Sequence, residues 1–354
     1  MRLLHIHLGL EGGAERFFVR LARAMDARGV RQAAIIRPGR SWRHELPASM
    51  RVEEGTYLRW WITRFTMRAR VRRLLDEFQP DGILAWMPRA AEILPEEAAC
   101  LRATRLGDYP APGSFWKFRN TDALVCNTPD VAAWVRRHGW SGRTEVISNF
   151  STASAAPAEP RERHATPAGA FLVVAVGRLV RLKGYHVLIE ALARAKDVHL
   201  WIVGEGEERP GLEALAASLG VQSRLRMLGW RTDPTPFLAA ADALCLPSLH
   251  ETLGNAVLEG WTAGIPVVAS RAPGPSWLVR DGENGLLADV GDPVGLADAL
   301  SWLRDDVRLR RSLADRAAAD LAERFSERAV VDAYLRLFGA GRAPNEVDNP
   351  IPPP

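Results

Sequence analysis

The stretch FLVVAVGRLVRLKGYHVLIEALARA, residues 171–195, predicts a strand, a tight turn and a helix in immediate succession. The run FLVVAVG is short and almost wholly apolar, which is typical of a strand buried on both faces. The run GYHVLIEALARA places apolar side chains at helical spacing. A strand that leads directly into a helix is the repeating unit of parallel α/β proteins.

The same alternation runs through both halves of the chain. The N-terminal half has the strand-like runs RLLHIHL, QAAIIR, GILAW and ALVCN and the helical run AERFFVRLARAMDARG, and the C-terminal half continues with HLWIVG, LRMLG, ALCLP and PVVAS. Open parallel sheets bind ligands at the carboxyl ends of their strands. We therefore predict an α/β protein of two Rossmann-like domains that face each other across a cleft.

A linker separates the two halves. Residues 151–170, STASAAPAEPRERHATPAGA, are rich in Ala, Pro and Ser and have no periodicity. We predict a domain boundary near residue 160, which gives domains at 1–160 and 161–325. Residues 326–340 form a further predicted helix, and the Pro-rich tail 341–354 is predicted to be disordered.

Composition narrows the class of protein. The chain has 354 residues, 47% of them hydrophobic, and carries a net charge of +4, which divides into +8 for residues 1–155 and −4 for the remainder. Its three cysteines, Cys100, Cys126 and Cys245, are odd in number and widely spaced, so we expect free thiols and a reducing cytoplasm. We expect no membrane-spanning segment and no signal peptide, because no long uncharged apolar run occurs.

Two glutamates stand eight positions apart in HETLGNAVLEG, residues 250–260. Glu251 precedes a helix predicted from about Leu253 to Ala263, and Glu259 lies one to two turns into it. A separation of roughly 9 to 12 Å suits two contacts to one elongated ligand, with an anion held between them at the helix N-terminus. Alternatively, Glu251 only caps the helix and Glu259 is a solvated helix residue.

A lysine follows the first strand of the second half. Lys183 is notable because the chain has only three lysines, and it lies with Arg178 in the turn between strand and helix. Residues in such a turn point to the ligand-binding edge of the sheet, where two cations suit a diphosphate. The alternative is that both are ordinary surface charges on a turn.

These motifs together resemble a known family. GRLVRLKG, VGEGEER, LGW, HETLGNAVLEGWTAGIPVVAS and NGLL occur in order over residues 177–287 and are similar to the donor-binding half of glycosyltransferase family 4, whose members are retaining enzymes with the GT-B fold. GGAERFFVRLARAM and VISNF resemble the acceptor half of that family. The resemblance implies that residues 1–160 bind the acceptor, that residues 161–325 bind a nucleotide sugar, and that the helix at 326–340 crosses back to the first domain.

The resemblance also implies roles for individual residues. Arg178 and Lys183 would neutralise the leaving diphosphate, Glu251 would bind the hydroxyls of the donor sugar, and Glu259 would bind the ribose hydroxyls. The rest of the implied donor site consists of residues that approach the phosphates through the main chain or line the base: Leu253, Gly254, Asn255, Gly12, Gly13, Gly229 and Trp230. Such enzymes usually need no metal, so we expect neither a metal nor another cofactor.

One position departs from the family. Many members carry a histidine after a strand of the N-terminal domain, where this chain has Gly107 and Asp108. Asp108 either replaces the histidine as a polar contact or base, or is a turn residue before Pro110. The chemistry on the acceptor side is left open between these two.

The remaining expectations concern partners. Residues 58–73, LRWWITRFTMRARVRR, predict a basic amphipathic helix suited to an anionic membrane leaflet, unless its apolar stripe lies in the core. We expect a cytoplasmic hexosyltransferase, peripheral at the inner membrane, that uses a nucleoside-diphosphate sugar and a lipid-linked or free glycan acceptor of lipopolysaccharide core or exopolysaccharide, and no nucleic acid. A sugar-nucleotide epimerase of the same fold and an inactive sugar-binding subunit are the alternatives.

Overall fold

The computed structural model describes residues 1–10, 12–56, 61–152 and 156–339, apart from the side chains of residues 61–64. The chain divides into two compact units. The first unit comprises Met1–Asn127, Ala132–Ile147 and the C-terminal residues from Val330, and the second comprises Thr128–Val131 and Ser148–Ala329. The predicted disordered tail, 341–354, lies outside the described residues.

The first unit is built on a parallel sheet. Within the described residues it has seven strands in the order β3-β2-β1-β4-β5-β6-β7. The strands are β1 (Arg2–His7), β2 (Arg31–Ile36), β3 (Arg51–Glu54), β4 (Gly82–Trp86), β5 (Leu101–Leu106), β6 (Ala123–Cys126) and β7 (Arg143–Val146). The helices between them are α1 (Gly13–Ala27), α2 (Trp61–Phe78), α3 (Met87–Ala91) and α4 (Pro129–Arg137).

The second unit has a parallel sheet of its own. Its six described strands run in the order β10-β9-β8-β11-β12-β13. They are β8 (Phe171–Val176), β9 (Val198–Val203), β10 (Leu225–Gly229), β11 (Ala243–Leu246), β12 (Val267–Ser270) and β13 (Leu286–Ala288). The helices are α5 (Tyr185–Arg194), α6 (Arg209–Ser218), α7 (Thr235–Ala240), α8 (Asn255–Thr262), α9 (Pro273–Leu278), α10 (Pro293–Asp305) and α11 (Val307–Arg324), and α12 (Glu327–Gly339) ends the described chain.

Strand β8 shows why its sequence is almost wholly apolar. Val173 and Ala175 pack into one hydrophobic core of the second unit, while Leu172 and Val174 pack into another. Successive side chains of a strand point to opposite faces, so the sheet is covered by helices on both sides. The α/β architecture predicted from residues 171–195 is therefore confirmed.

Four strands were not among the predicted runs. These are the edge strands β3 and β7, the interior strand β5, whose run LRATRL is interrupted by two arginines, and the three-residue strand β13. The sequences of β3 and β7, RVEE and RTEV, are mostly polar, because an edge strand is only partly covered and needs no continuous apolar run.

The main segment of the second unit begins at Ser148, earlier than the predicted boundary near residue 160. The described part of the linker packs on the second unit. The Glu159 N–H donates to the Pro236 carbonyl at 2.9 Å, and Arg161 donates to the Ala240 carbonyl and forms an ion pair with Asp242 at 3.0 Å. These contacts explain why a polar segment without periodicity belongs to a folded unit.

Helix α12 contributes its C-terminal part to the first unit. The Nε of Arg105 on β5 donates to the Tyr334 hydroxyl at 2.9 Å, and both side chains are buried. At Gly82 a Cβ atom would lie 2.2 Å from the Phe338 ring, so the Phe338 ring packs directly on the strand backbone. Val330 and the residues that follow it thus complete the core of the first unit.

The basic segment 58–73 lies largely within α2. Met67, Val71 and Leu74 recur at helical spacing and are buried, as the core interpretation of its stripe predicts. Phe65, in contrast, is 71% exposed. Residues 58–60 lie outside the described residues, and the same holds for the side chain of Trp61. Across the described residues, no helix combines the length and the apolarity that a membrane crossing requires.

Candidate functional site

Two predicted site residues meet at the carboxyl edge of the second sheet. Lys183 follows β8 and Glu251 follows β11, and these strands are paired in parallel. Lys183 Nζ lies 2.5 Å from Glu251 Oε2, and the two side chains are only 25% and 14% exposed. The sequence analysis predicted a ligand-binding role for each of the two residues but did not predict that they contact each other.

The turn that contains Lys183 packs closely against the loop that contains Glu251. A 3₁₀ turn at Arg181–Lys183 ends at Gly184, whose φ is +66°. A Cβ at Gly184 would lie 2.1 Å from the Pro247 carbonyl oxygen, so only glycine fits this approach. The Leu249 N–H donates to the Leu182 carbonyl at 2.8 Å.

The Glu251 carboxylate is held from several sides. Ser248 Oγ donates to Oε2 at 3.2 Å, and Ser270 Oγ in turn donates to the Ser248 carbonyl at 2.5 Å. The Gly274 N–H donates to the Glu251 main-chain carbonyl at 2.9 Å. Among the described residues, Oε1 has no hydrogen-bond partner. One carboxylate oxygen is thus occupied by protein groups and the other is available.

The pKa of Tyr185, the first residue of α5, is raised by burial and, to a smaller extent, by the charge of Glu251. Tyr185 therefore remains a neutral phenol next to the ion pair. Ser248 and Tyr185 were both missed by the sequence analysis, since a serine after a strand and an apolar-spaced tyrosine carry no distinctive pattern.

Helix α8 begins at Asn255, two residues later than the predicted start at Leu253. Gly254 precedes it with a φ of +88°, a conformation that glycine adopts at little cost and that ends the loop at this point. In the described structure, the N–H groups of Leu253 and Gly254 donate to no acceptor. These two donors, with the positive end of the helix dipole, suit an anion.

The other predicted residues of the second unit lie on the same sheet edge or on α8. Arg178 is exposed directly after β8 and makes no ion pair with a described residue. Gly229 ends β10 with a φ of +75°, and Trp230 after it is 56% exposed. Glu259 is half-buried on α8.

Gly12, Gly13 and Asp108 belong to the first unit. Gly13 begins α1 and Gly12 is its N-cap. Asp108 is exposed just after β5, where its Oδ1 accepts the N–H of Tyr109 at 2.8 Å. This contact is the one expected of a turn residue, and an active role for Asp108 stays a prediction.

Two buried histidines on β1 were also missed. His5 and His7 are fully buried, and the burial lowers the pKa of His5 to about 4 and that of His7 to about 3. The Gly9 N–H donates to His7 Nδ1 at 3.3 Å, which leaves the ring proton on Nε2. The only signal in the sequence is the alternation HIH within the strand.

A cavity of about 460 Å³ lies elsewhere on the second unit. Its lining includes Phe171 at the start of β8 and Asp242 before β11, so it lies at the amino edge of the sheet. The predicted donor residues lie at the opposite, carboxyl edge. Over the described parts of the chain, no three His, Cys, Asp or Glu side chains are grouped so that they could hold a metal ion.

Comparison with known proteins covers both units. A family model described as Glycosyltransferase Family 4 matches residues 11–151, and one described as Glycosyl transferases group 1 matches residues 170–306. The chain is 48% identical to the lipopolysaccharide core biosynthesis glycosyltransferase LpsD of Rhizobium meliloti strain 1021, over 97% of this chain and 99% of the relative. It is 45% identical to LpsE of the same strain, over 96% and 99%.

A solved structure shows the same fold. HepE of Anabaena, crystallised with UDP and glucose, superposes with a TM-score of 0.80 and 22% identity, over 96% of this chain and 100% of HepE. The GT-B fold predicted from the sequence is therefore confirmed. Because its identity to LpsD extends along almost the whole of both chains, the chain belongs to glycosyltransferase family 4 and is a glycosyltransferase.

Proposed function

We propose that the enzyme transfers a hexosyl group, with retention of configuration, from a nucleoside-diphosphate sugar to the core oligosaccharide of lipopolysaccharide. The observation that carries the proposal is the pairing of Lys183 with Glu251 at the carboxyl edge of the second sheet. The names of LpsD and LpsE support the acceptor, and the UDP and glucose bound by HepE support the donor.

The donor would separate the ion pair. A diphosphate takes the ammonium of Lys183, with Arg178 as a second cation, and the sugar hydroxyls take the carboxylate of Glu251, whose Oε1 is available. The N–H groups of Leu253 and Gly254 bind the distal phosphate. Glu259 binds the ribose hydroxyls. Gly229 and Trp230 line the base, and Asn255 begins the phosphate-binding helix α8. For Gly12 and Gly13, a contact to the phosphates rests on the family resemblance alone.

Retention follows from attack on the face from which the diphosphate leaves. The bond between the anomeric carbon and the phosphate oxygen breaks, the acceptor oxygen bonds to the same face, and a phosphate oxygen takes the proton of the acceptor hydroxyl. No protein nucleophile is required. Catalysis then consists of positioning and of the stabilisation of the leaving group by Arg178 and Lys183.

No metal or other cofactor is needed under this proposal. The diphosphate of the donor already carries two negative charges and gains a further one as the glycosidic bond breaks, and two cationic side chains at the edge of the second sheet, Arg178 and Lys183, stabilise this charge. Asp108 would contact the acceptor or accept its proton in place of the family histidine.

The enzyme would work on the cytoplasmic face of the inner membrane. The first unit contains most of the segment that carries the charge of +8, and Phe65 is exposed on its helix α2. An exposed aromatic ring among arginines suits an anionic leaflet. A lipid-linked acceptor would thus be met at the membrane surface.

One experiment separates the candidate functions. The purified enzyme is incubated with a panel of UDP-, ADP- and GDP-sugars, with and without deacylated core oligosaccharide, and nucleoside diphosphate is measured. We expect acceptor-dependent release, and a product whose anomeric configuration by NMR equals that of the donor. An epimerised sugar nucleotide would indicate an epimerase, and binding without release an inactive subunit. An inverted product would refute retention.

A further inference from the structure

Three arginines follow the carboxyl ends of β2 and β4, the two strands that flank β1 in the first sheet. Arg37 directly follows β2, Arg40 lies three residues further, and Arg89 lies in α3 directly after β4. His7, at the end of β1, is paired with Ile36 on one side and with Trp86 on the other. Neighbouring strands are about 4.8 Å apart, so Arg37 and α3 emerge about 10 Å apart on either side of the β1 end.

No carboxylate of the described residues forms an ion pair with the arginine cluster, which consists of Arg37, Arg40 and Arg89. Neither Arg37 nor Arg89 has an ion pair or a side-chain hydrogen bond to any residue that the structure describes. Arg40 Nε donates only to the Pro38 carbonyl, at 3.2 Å. Carboxylates on adjoining segments are already paired: Glu54 with Arg43 at 3.2 Å and Glu92 with Lys117 at 2.9 Å.

Like charges in the cluster repel one another. The pKa of Arg37 is lowered by partial burial and then by the charges of Arg89 and Arg40. Holding like charges together is unfavourable, and a bound anion would offset that cost. A cluster of arginines without acidic partners is therefore typical of a site whose partner is a ligand.

The segment that carries Arg37 and Arg40 is anchored. Trp42 follows them and is buried, with its ring centroid 5.5 Å from that of His7 and 5.6 Å from that of Phe18. Trp42 Nε1 also donates to the Leu10 carbonyl at 3.0 Å. The cluster is thus pre-organised, which reduces the entropy lost on binding.

We propose that Arg37, Arg40 and Arg89 bind an anionic group of the acceptor, either a phosphate or a carboxylate. Guanidinium groups bind both oxyanions through paired hydrogen bonds. The proposal rests on the proposed function, in which Arg178 and Lys183 of the second unit already match the donor diphosphate. The family resemblance assigns acceptor binding to the first unit, which contains the cluster, so we assign its charge to the acceptor, and the measurements with UDP described below test whether it serves the donor phosphates instead.

The first test compares two acceptors that differ only in charge. One is deacylated core oligosaccharide, and the other is the same saccharide after its phosphates are removed and its carboxyl groups reduced. We expect the wild type to bind the anionic form about 10- to 100-fold more tightly by calorimetry, since charged hydrogen bonds contribute a few kcal/mol. In Arg37→Gln and Arg89→Gln this preference should shrink to within a few-fold, with the Kd for UDP unchanged.

Arg43→Gln is the matched control, because it removes the same charge from the same segment while lying outside the cluster. It should keep the preference. Equal binding of the two saccharides by the wild type would overturn the proposal. A loss of UDP affinity in Arg37→Gln as large as the loss for the acceptor would also overturn it, because the cluster would then serve the donor phosphates.

A second measurement needs no acceptor. Side-chain Nε–Hε NMR signals are titrated with inorganic phosphate at constant ionic strength. The signals of Arg37 and Arg89 are assigned from the variants, in which they are missing. In the wild type these two signals should shift and reach saturation as phosphate is added, whereas the signal of Arg43 should not shift. If neither signal shifts in the folded wild-type protein, the proposed anion site is refuted. Shifts without transfer to core oligosaccharide would refute the proposed function and support an anion site for a different acceptor.

Discussion

Lys183 Nζ and Glu251 Oε2 lie 2.5 Å apart although 68 residues separate them in the chain. The contact neutralises two charges that the proposed mechanism uses separately, one for the diphosphate and one for the sugar. In the absence of donor, the ion pair avoids the cost of a partly buried charge without a partner at the sheet edge. Under the proposed mechanism the donor replaces this ion pair with its own contacts to Lys183 and Glu251, which are already oriented.

Replacing Lys183 with alanine should reduce turnover by about 10²- to 10³-fold, because the negative charge that it stabilises grows as the glycosidic bond breaks. The melting temperature should also fall, because Glu251, whose side chain is only 14% exposed, then lacks its cation, so turnover is measured well below the unfolding transition. Lys196→Ala, a change of one of the two other lysines, is the control and should behave as the wild type. Near-normal turnover of Lys183→Ala would remove this residue from the site.

Gly184→Ala should lower both stability and activity. The new methyl group would meet the Pro247 carbonyl at 2.1 Å and would sit at a φ of +66°. Gly264 has a similar φ, +73°, with nothing within 4 Å of the added atom. Gly264→Ala should thus lower the free energy of unfolding by only about 1–2 kcal/mol, the cost of a left-handed backbone conformation for alanine, as measured by denaturant unfolding. Equal losses in the two variants would contradict the close approach of the two loops.

Transfer should persist in excess EDTA. The two cations Arg178 and Lys183 provide the charge that a divalent ion would otherwise supply to the diphosphate. The rate of nucleoside-diphosphate release should stay within about twofold of the rate without EDTA. Removal of a catalytic metal would instead cost several kcal/mol of transition-state stabilisation and lower the rate far more. A complete loss of activity that magnesium or manganese restores would refute the metal-independent mechanism.

Stability should fall as the pH drops below about 6.5. His5 and His7 have pKa values of about 4 and about 3 in the folded protein, both lowered from 6.5 mainly by burial. Between these values and 6.5 the unfolded chain binds protons that the folded chain does not. Each histidine then removes about 1.4 kcal/mol of unfolding free energy per pH unit, and the loss levels off below the folded pKa.

Changing His7 to phenylalanine should flatten this pH dependence, as measured by urea unfolding at pH 7, 6 and 5. The exposed His44, changed to glutamine, serves as the control and should leave the slope intact. An unchanged slope in His7→Phe would show that His7 does not contribute to it.

Association with membranes should depend on Phe65. Because its ring is 71% exposed, Phe65→Ser should weaken sedimentation with anionic vesicles about tenfold or more, in line with 1.5–3 kcal/mol for burial of such a side chain. Arg72→Glu should weaken it mainly at low salt. Trp302→Ser, which changes a 59% exposed ring on the second unit, is the control. Unchanged binding of the Phe65 and Arg72 variants would refute membrane docking through α2.

Much of the fold was predictable because buried parallel strands require continuous apolar runs. Strands β8, β9, β11 and β12 carry such runs. The edge strands β3 and β7 were not predicted, since a partly covered strand needs no continuous apolar run, and the interior strand β5 was missed because Arg102 and Arg105 interrupt its run LRATRL. The start of α8 was misplaced by two residues because Gly254 adopts a left-handed conformation that no local pattern reveals.

The candidate site was predictable only in part for a similar reason. Lys183 and Glu251 were identified from a rare lysine and a paired motif, which are local features. Their contact depends on the pairing of β8 with β11 and on the fit of Gly184 against Pro247. The arginine cluster also depends on strand order, because Arg37 and Arg89 are neighbours only through β1. Such relationships arise from topology rather than from spacing along the chain.

The position of α12 has a consequence for synthesis. Tyr334 and Phe338, which complete the core of the first unit, are translated after every residue of the second unit. The second unit, whose residues end at Ala329, is already fully synthesised by then. Although domains usually fold in order from the N-terminus, here the unit that is translated first can complete its core only after the second unit has been translated. A message truncated before codon 330 would yield a finished second unit and a first unit with an open core.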